Sequence, residues 1–242
     1  RFFDDLNAMG RVNQFADLLC TFINLYKSSG KTLAQIEKDV DQNDARTKTF
    51  LNIFSAIFKD YSEYLQSKGE IDFEDMLNEA TRYLNEGKYV SKFDYVLVDE
   101  FQDISQSRYL FLKALVDQNK SKLYCVGDDW QSIYRFTGSD VSLMADFEKY
   151  FDFTEKCLLQ ETFRFNDKLC DFSTHFILQN PLQLKKDITS RTKEEGLAVS
   201  VIRERTDVAL KNIISSLDGK STKDETLFVI GRYNKLKSFV NA

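Results

Sequence analysis

The residues of this chain that could do chemistry gather behind three short apolar runs. The first reads Tyr95-Val-Leu-Val-Asp-Glu-Phe-Gln-Asp103. A buried strand ending in Asp99-Glu100 would set two carboxylates at the C-terminal edge of a sheet, where open α/β folds bind ligands. In a nucleotide hydrolase the first carboxylate holds Mg²⁺, and the second orients or deprotonates a water. The plain alternative is that both only complement the dipole at a helix N-terminus. The second run continues as Val126-Gly-Asp-Asp-Trp-Gln-Ser-Ile-Tyr-Arg-Phe-Thr-Gly138. Gly127 permits a tight exit from a strand, and Gln131 offers a donor and an acceptor near the same edge. Tyr134, Arg135 and Phe136 form an aromatic–basic–aromatic cluster that can stack bases and touch phosphates of a single strand. The competing role for these rings is core packing. The third run is followed by Gln160-Glu-Thr-Phe-Arg-Phe165. There Arg164 could stabilise charge on a transferring phosphate or make an ordinary surface ion pair.

A fourth stretch, Leu25-Tyr-Lys-Ser-Ser-Gly-Lys-Thr32, ends in the Gly-Lys-Thr that closes a phosphate-binding loop. The complete loop needs a glycine five residues before Gly30, and Leu25 stands there. The residues before it have helical rather than strand periodicity. Gly30 is therefore expected to stop one helix, and Lys31-Thr32 to begin the next.

The elements that must position these groups follow from periodicity. Residues 2–69 read as helices only: Phe3, Leu6, Met9, Phe15, Leu19, Phe22 and Tyr26 recur at three- and four-residue spacing. Phe50, Ile53, Phe54, Ile57, Phe58, Tyr61 and Leu65 do the same. Asp72 is expected to cap a helix running through Leu84, with Gly87 as its stop. Beyond residue 93, strands at 95–98, 122–126, 157–159, 197–202 and 226–230 alternate with helices at 107–118, 141–150, 167–179 and 208–217. That alternation predicts a parallel α/β arrangement. Residues 185–193 read as a polar loop.

Composition narrows the function classes. The chain has 242 residues, 43% hydrophobic and 29% charged, which predicts a packed core rather than disorder. One proline and nine glycines argue against a long flexible linker. No run is long enough to span a membrane, and no signal peptide is visible. The cysteines at 20, 125, 157 and 170 form no Cys-x-x-Cys pair, so neither zinc nor a disulfide framework is expected. The single histidine, His175, lies in a helical run and reads as structural. With a net charge of −5, any nucleic-acid binding must come from a local surface.

Taken together, the motifs resemble those of the UvrD/Rep-type superfamily I DNA helicases. The succession is Ile71-Asp-Phe-Glu-Asp-Met-Leu77, Val98-Asp-Glu-Phe-Gln-Asp103, Gly127-Asp-x-x-Gln-Ser-Ile-Tyr-Arg135 and Thr162-Phe-Arg164. The wording of Val98–Ser105, Val126–Gln131 and Gln179-Asn-Pro-Leu-Gln-Leu-Lys-Lys186 is similar to the DNA helicase IV branch. The resemblance is close over residues 70–242 and looser before them.

It implies an α/β fold containing parts of two RecA-like parallel-sheet P-loop NTPase domains, with a helical insertion on the N-terminal side. Residues 1–70 would be the helical arm, 71–160 part of the first RecA-like domain, and 161–242 the start of the second. It implies ATP and Mg²⁺ as cofactors, with Asp99 as the Mg²⁺ carboxylate and Glu100 activating the attacking water. Gln131 would sense the γ-phosphate, Arg164 would be the arginine finger, and Phe163 would lie against the adenine where relatives commonly carry tyrosine. Tyr134, Arg135 and Phe136 would face single-stranded and partly duplex DNA. Phe136 stands where many relatives have tryptophan, and Thr137 where an arginine is frequent. A bacterial cytoplasmic location goes with this reading. Because no complete phosphate loop is present, the chain is expected to be an internal segment of a longer helicase, inactive by itself, with that loop before Arg1. The competing expectation is a motor-inactive, helicase-like module that binds DNA or a protein partner such as RNA polymerase.

Overall fold

The computed structural model describes residues 2–40, 44–193, 195, 199–217, 228 and 230. Five helices come first: α1 (Phe2–Ala8), α2 (Val12–Ser28), α3 (Leu33–Asp39), α4 (Ala45–Lys68) and α5 (Phe73–Asn85). Local sequence sets their ends. Gly30 at φ 64° follows α2, and Thr32 opens α3 with a reciprocal capping box to Gln35. Asp44 caps α4 by accepting from the N–H groups of Arg46 and Thr47, and Gly69 at φ 66° ends it. Asp72 and Asp75 form the same kind of box at the start of α5.

The apolar faces of α2 and α4 meet around Leu19, Ile23 and Phe54. Phe54 is fully buried, edge-on to Phe22 at 4.5 Å and stacked on Phe58 at 5.5 Å. An ion-pair knot then joins α2 to α5. The buried Lys27 ammonium donates to Asp72 at 2.6 Å and Asp75 at 2.7 Å, beneath the rings of Phe58 and Tyr61. Tyr61 donates to Asp72 at 2.9 Å, and its hydroxyl pKa is pushed up to about 12, by burial first and the Asp72 carboxylate second. Removing one partner from so buried a pair typically costs about 3–5 kcal/mol, so the knot fixes how α2 meets α5.

A small parallel sheet follows. β1 (Tyr95–Val98) and β2 (Lys122–Cys125) pair from Tyr95↔Lys122 to Val98↔Cys125, connected by α6 (Gln106–Asn119). Alternation along both strands sends Val96, Val98, Leu123 and Cys125 into a core with Phe101, Ile104, Tyr109, Leu112, Leu143 and Phe151. Burial pushes the Cys125 thiol up to about 12. The opposite face carries Tyr95, Leu97 and Tyr124, each more than 60% exposed. The expected helix at 141–150 is two one-turn helices, α7 (Ser142–Ala145) and α8 (Phe147–Tyr150), broken at Asp146 where the backbone leaves helical geometry.

A second parallel pair joins β3 (Glu161–Thr162) to β4 (Thr189–Ser190), with α9 (Asp167–Ile177) between them in sequence. The expected strand at 157–159 is corrected here: those residues make no ladder, and Leu159 is 87% exposed. Pairing starts two residues later because the Gln160 carbonyl accepts from the Thr189 N–H, and that partner lies inside what reads as a polar loop. The described part of the expected strand at 197–202, residues 199–202, is likewise not a strand, and Val201 is 93% exposed. α10 (Thr206–Leu217) is present, whereas the strand expected at 226–230 lies outside the described residues except for Phe228 and Ile230.

The chain thus mixes helices with small parallel sheets. Its contacts group residues up to 159 with 177–186 in one compact unit, and 160–176 with residues from 187 onward in another. No helix among the described residues is long and apolar enough to cross a membrane.

Candidate nucleotide and nucleic-acid site

The paired carboxylates leave the C-terminal end of β1 exposed to solvent. They do not cap a helix. Glu100 precedes a single 3₁₀ turn, Phe101–Asp103, without a capping bond from its side chain, and α6 begins at Gln106, where the Ser105 hydroxyl accepts from the Arg108 N–H. Glu100 instead adopts a left-handed conformation, φ 51° and ψ 43°, which is uncommon for a residue with a side chain. Its N–H donates to Asp99 Oδ1 at 2.9 Å. Backbone strain of this kind concentrates where a fold must aim a functional group.

Gln102, only 2% exposed, holds the turn. Its amide nitrogen donates to Glu100 Oε2 at 2.8 Å, while its amide oxygen accepts from the Asp128 N–H at 2.9 Å. One side chain thereby joins the loop after β1 to the loop after β2. Gly127 makes room for it: a Cβ there would fall 2.7 Å from Gln102 Oε1 and 3.0 Å from the Phe101 nitrogen. The glycine serves close approach of the two loops rather than a left-handed exit from β2, since its φ is not positive.

Gln131 ends a single 3₁₀ turn, Asp129–Gln131, and is exposed. Its side-chain nitrogen donates to Asp128 Oδ2 at 2.8 Å. Burial works to raise the Asp128 pKa, but the Lys186 ammonium and the Gln131 amide outweigh it and hold the carboxyl below its usual range. Beyond the turn, Tyr134, Arg135 and Phe136 all face solvent, so the rings are not core. Their centroids lie 6.1 Å apart and the planes are tilted by 44°. The Arg135 guanidinium has no carboxylate partner among the described residues.

This aromatic loop is stitched to the carboxylate loop from below. Ser139 pairs with Ser105 as a β-bridge and donates from its hydroxyl to the Asp103 carbonyl, while the Asp140 N–H donates to the Ile104 carbonyl at 2.9 Å. Gly138, at φ 99°, rests on the end of α2, where a Cβ would come within 2.6 Å of the Ser28 hydroxyl. The Leu25–Thr32 stretch is no phosphate cradle. It backs the aromatic loop.

Phe163 and Arg164 belong to the second unit, just after β3. Phe163 is 67% exposed, with the Arg191 guanidinium over its ring at 5.3 Å. Arg191 in turn pairs with Glu161. Arg164 is exposed and pairs with no carboxylate among the described residues, so the surface ion pair allowed by sequence is not formed there.

The donor set suits Mg²⁺. Asp99 and Glu100 are two exposed hard oxygen ligands in sequence, and no group of three or more potential metal ligands occurs among the described residues. Mg²⁺ is typically held by one or two carboxylates, keeping waters and phosphate oxygens as its other ligands. Asp99 and Glu100 could each supply such a carboxylate.

Three residues that sequence reasoning passed over organise this geometry: Gln102, Asp128 and Lys186. All three lie within quoted motifs, and a glutamine among buried apolar neighbours is a usable sign of a structural hydrogen bond. Lys186 sits in a polar loop and carries no such sign.

An exposed carboxylate pair directly follows β1 of a parallel sheet, and an exposed aromatic–basic loop lies further along the chain after β2. The chain belongs to the UvrD/Rep helicase family: residues 4–152 match the family described as the UvrD/REP helicase N-terminal domain. It is similar to DNA helicase IV of Escherichia coli (strain K12), 32% identical over 98% of this chain and 34% of the relative. It is also similar to the ATP-dependent DNA helicase PcrA of Bacillus subtilis (strain 168), 26% identical over 77% of this chain and 24% of the relative. A probable DNA helicase II homolog of Mycoplasma capricolum matches 65% of the chain at 29% identity, over 23% of its own length. The chain therefore spans a quarter to a third of the length of these relatives.

Proposed function

We propose that this chain is a segment of an ATP-dependent DNA helicase that couples Mg-ATP hydrolysis to movement along single-stranded DNA and to duplex unwinding. Residues 71–160 are assigned to the first RecA-like motor domain, with 1–70 as its inserted arm, and 161–242 to the start of the second. The observation that carries the reading is the shared frame of hydrogen bonds beneath two exposed features. Gln102, Ser139 and Asp140 tie the Asp99–Glu100 turn to the Tyr134–Phe136 loop. A change at the carboxylates is thus linked to the aromatic loop through directional bonds, as a motor that converts hydrolysis into a hold on DNA requires.

In this reading Asp99 holds the metal, and Glu100 accepts a proton from the attacking water. Bound magnesium would be held by Asp99 and would supply charge neutralisation for the phosphates. Gln131 senses the γ-phosphate from the loop after β2, Phe163 packs on the adenine, and Arg164 stabilises charge on the transferring phosphoryl group. Tyr134 and Phe136 stack on bases and Arg135 contacts phosphate, which lets an acidic chain hold DNA through one local surface.

The test is fluorescence anisotropy of the full-length protein with a labelled single-stranded oligonucleotide. Stacking is worth about 1–3 kcal/mol per base, so Tyr134→Ala with Phe136→Ala is expected to weaken binding at least ~10-fold. Unchanged affinity in the double variant would remove the proposed DNA surface.

A further inference from the structure

The segment Gln179-Asn-Pro-Leu-Gln-Leu-Lys-Lys186 has no part in the mechanism above, yet it is bound tightly to the Gln131 turn. Residues 177–186 group with the first unit although the chain on either side belongs to the second. The Leu184 N–H donates to Asp129 Oδ2 at 2.8 Å, and the Trp130 indole N–H donates to the Leu184 carbonyl at 2.9 Å. The Lys186 ammonium lies over the Trp130 ring at 5.4 Å, pairs with the fully buried Asp129, and donates to Asp128 Oδ1 at 2.6 Å. Its side chain is only 11% exposed. The other oxygen of Asp128 accepts from the Gln131 side chain.

From this chain of contacts we infer that Lys186 is a positioning residue for Gln131, acting through the Asp128 carboxylate. The inference rests on the reading of Gln131 as the γ-phosphate sensor. An exposed glutamine at the end of one 3₁₀ turn has several rotamers open to it, and ordering a long side chain is costly in entropy. Asp128 Oδ2 is the one side-chain partner that restricts Gln131 among the described residues. Asp128 could itself rotate, but its opposite oxygen is held by the Trp130 N–H at 3.2 Å and, more closely, by the Lys186 ammonium at 2.6 Å, which together fix the carboxylate plane. A charge-assisted bond of this kind, largely shielded from water, is stronger than a neutral one. Asp129 cannot substitute for Asp128 here, because its own carboxylate is occupied by the Leu184 N–H and by Lys186. The peptide that carries Lys186 is thereby coupled to the orientation of the residue that reads the nucleotide.

The experiment compares Lys186→Met, Lys186→Arg, Gln131→Ala and the Lys186→Met/Gln131→Ala double variant in the full-length protein. Single-stranded-DNA-stimulated ATP turnover and hydrogen exchange are both measured. Lys186→Met is expected to lower kcat about 10-fold with the KM for ATP within about twofold, and Lys186→Arg to recover most of the loss, as expected when a charge-assisted bond is removed and restored. Because both residues act in one chain, adding Lys186→Met to Gln131→Ala is expected to cost nothing further. Fully multiplicative losses would overturn the inference even though a purely structural lysine would also lower activity. Exchange at residues 127–133 is expected to quicken in Lys186→Met while residues 95–98 keep their protection. Unchanged exchange at 127–133 sinks the inference whatever the activity. If Lys186→Met does not fold, Asp128→Asn tests the same link and is expected to show the same non-additivity with Gln131→Ala. If the wild-type protein has no DNA-stimulated turnover, the helicase reading fails and the exchange comparison alone decides whether Lys186 orders the turn.

Discussion

Replacing Arg164 by alanine in the full-length protein is expected to lower ATP turnover by about 10³–10⁵-fold, the usual range for losing an arginine finger. The guanidinium would act on charge that exists fully only in the transition state, so kcat should fall while the KM for ATP moves little. The structure makes this a clean substitution. Arg164 is exposed and pairs with no carboxylate among the described residues, so its removal strands no buried charge. Thermal stability should therefore stay within about 0.5 kcal/mol of wild type, as for ordinary surface positions. Arg164→Lys should rescue poorly, because a point charge does not reproduce the planar fork that grips two phosphate oxygens. Steady-state turnover with saturating DNA checks this. A loss smaller than about 10-fold would mean that another cation carries the charge.

The second large effect is expected at Glu100. Glu100→Gln keeps the size of the side chain and leaves an amide oxygen that can still accept from Gln102, whose bond to the carboxylate is 2.8 Å. The strained turn at φ 51° should survive, and with it the position of Asp99. What is lost is the proton acceptor, a contribution of about 10²–10⁴ in rate. ATP and oligonucleotide should bind as before, so the variant should hold nucleotide without consuming it. Binding that collapses along with turnover would reassign Glu100 to the architecture of the turn.

Both substitutions touch residues legible in the sequence, and the reason is physical. Asp99 and Glu100 directly follow β1, an end-of-strand position that local pattern gives, while Gln131 and Arg164 are exposed polar groups further along the chain. The helix caps at Thr32, Asp72, Gly30 and Gly87 are likewise local, decided within four residues. The rest depends on partners far along the chain. Strand pairing at Glu161–Thr162 is fixed by Thr189 and Ser190, inside a polar run, while the apolar Leu158 and Leu159 that mimic a strand stay exposed. Lys186 looks like a solvated charge until its carboxylate at Asp128, 58 residues earlier, folds against it. Gly127 illustrates a subtler gap. Its importance could be read, but the cause is the Gln102 side chain packed where a Cβ would be. The Gly-Lys-Thr at 30–32 has the letters of a phosphate loop, and its helical surroundings make it the turn between α2 and α3, while Leu25 and Ser28 just before it meet Gly138.

The most direct test of the proposed motor is the steady-state rate of Mg-ATP hydrolysis by the full-length protein with and without a single-stranded oligonucleotide. Coupling through the Gln102–Asp128 and Ser105–Ser139 contacts should make the rate rise severalfold with DNA. A rate that is the same with and without the oligonucleotide, under conditions where both ligands bind, would contradict it.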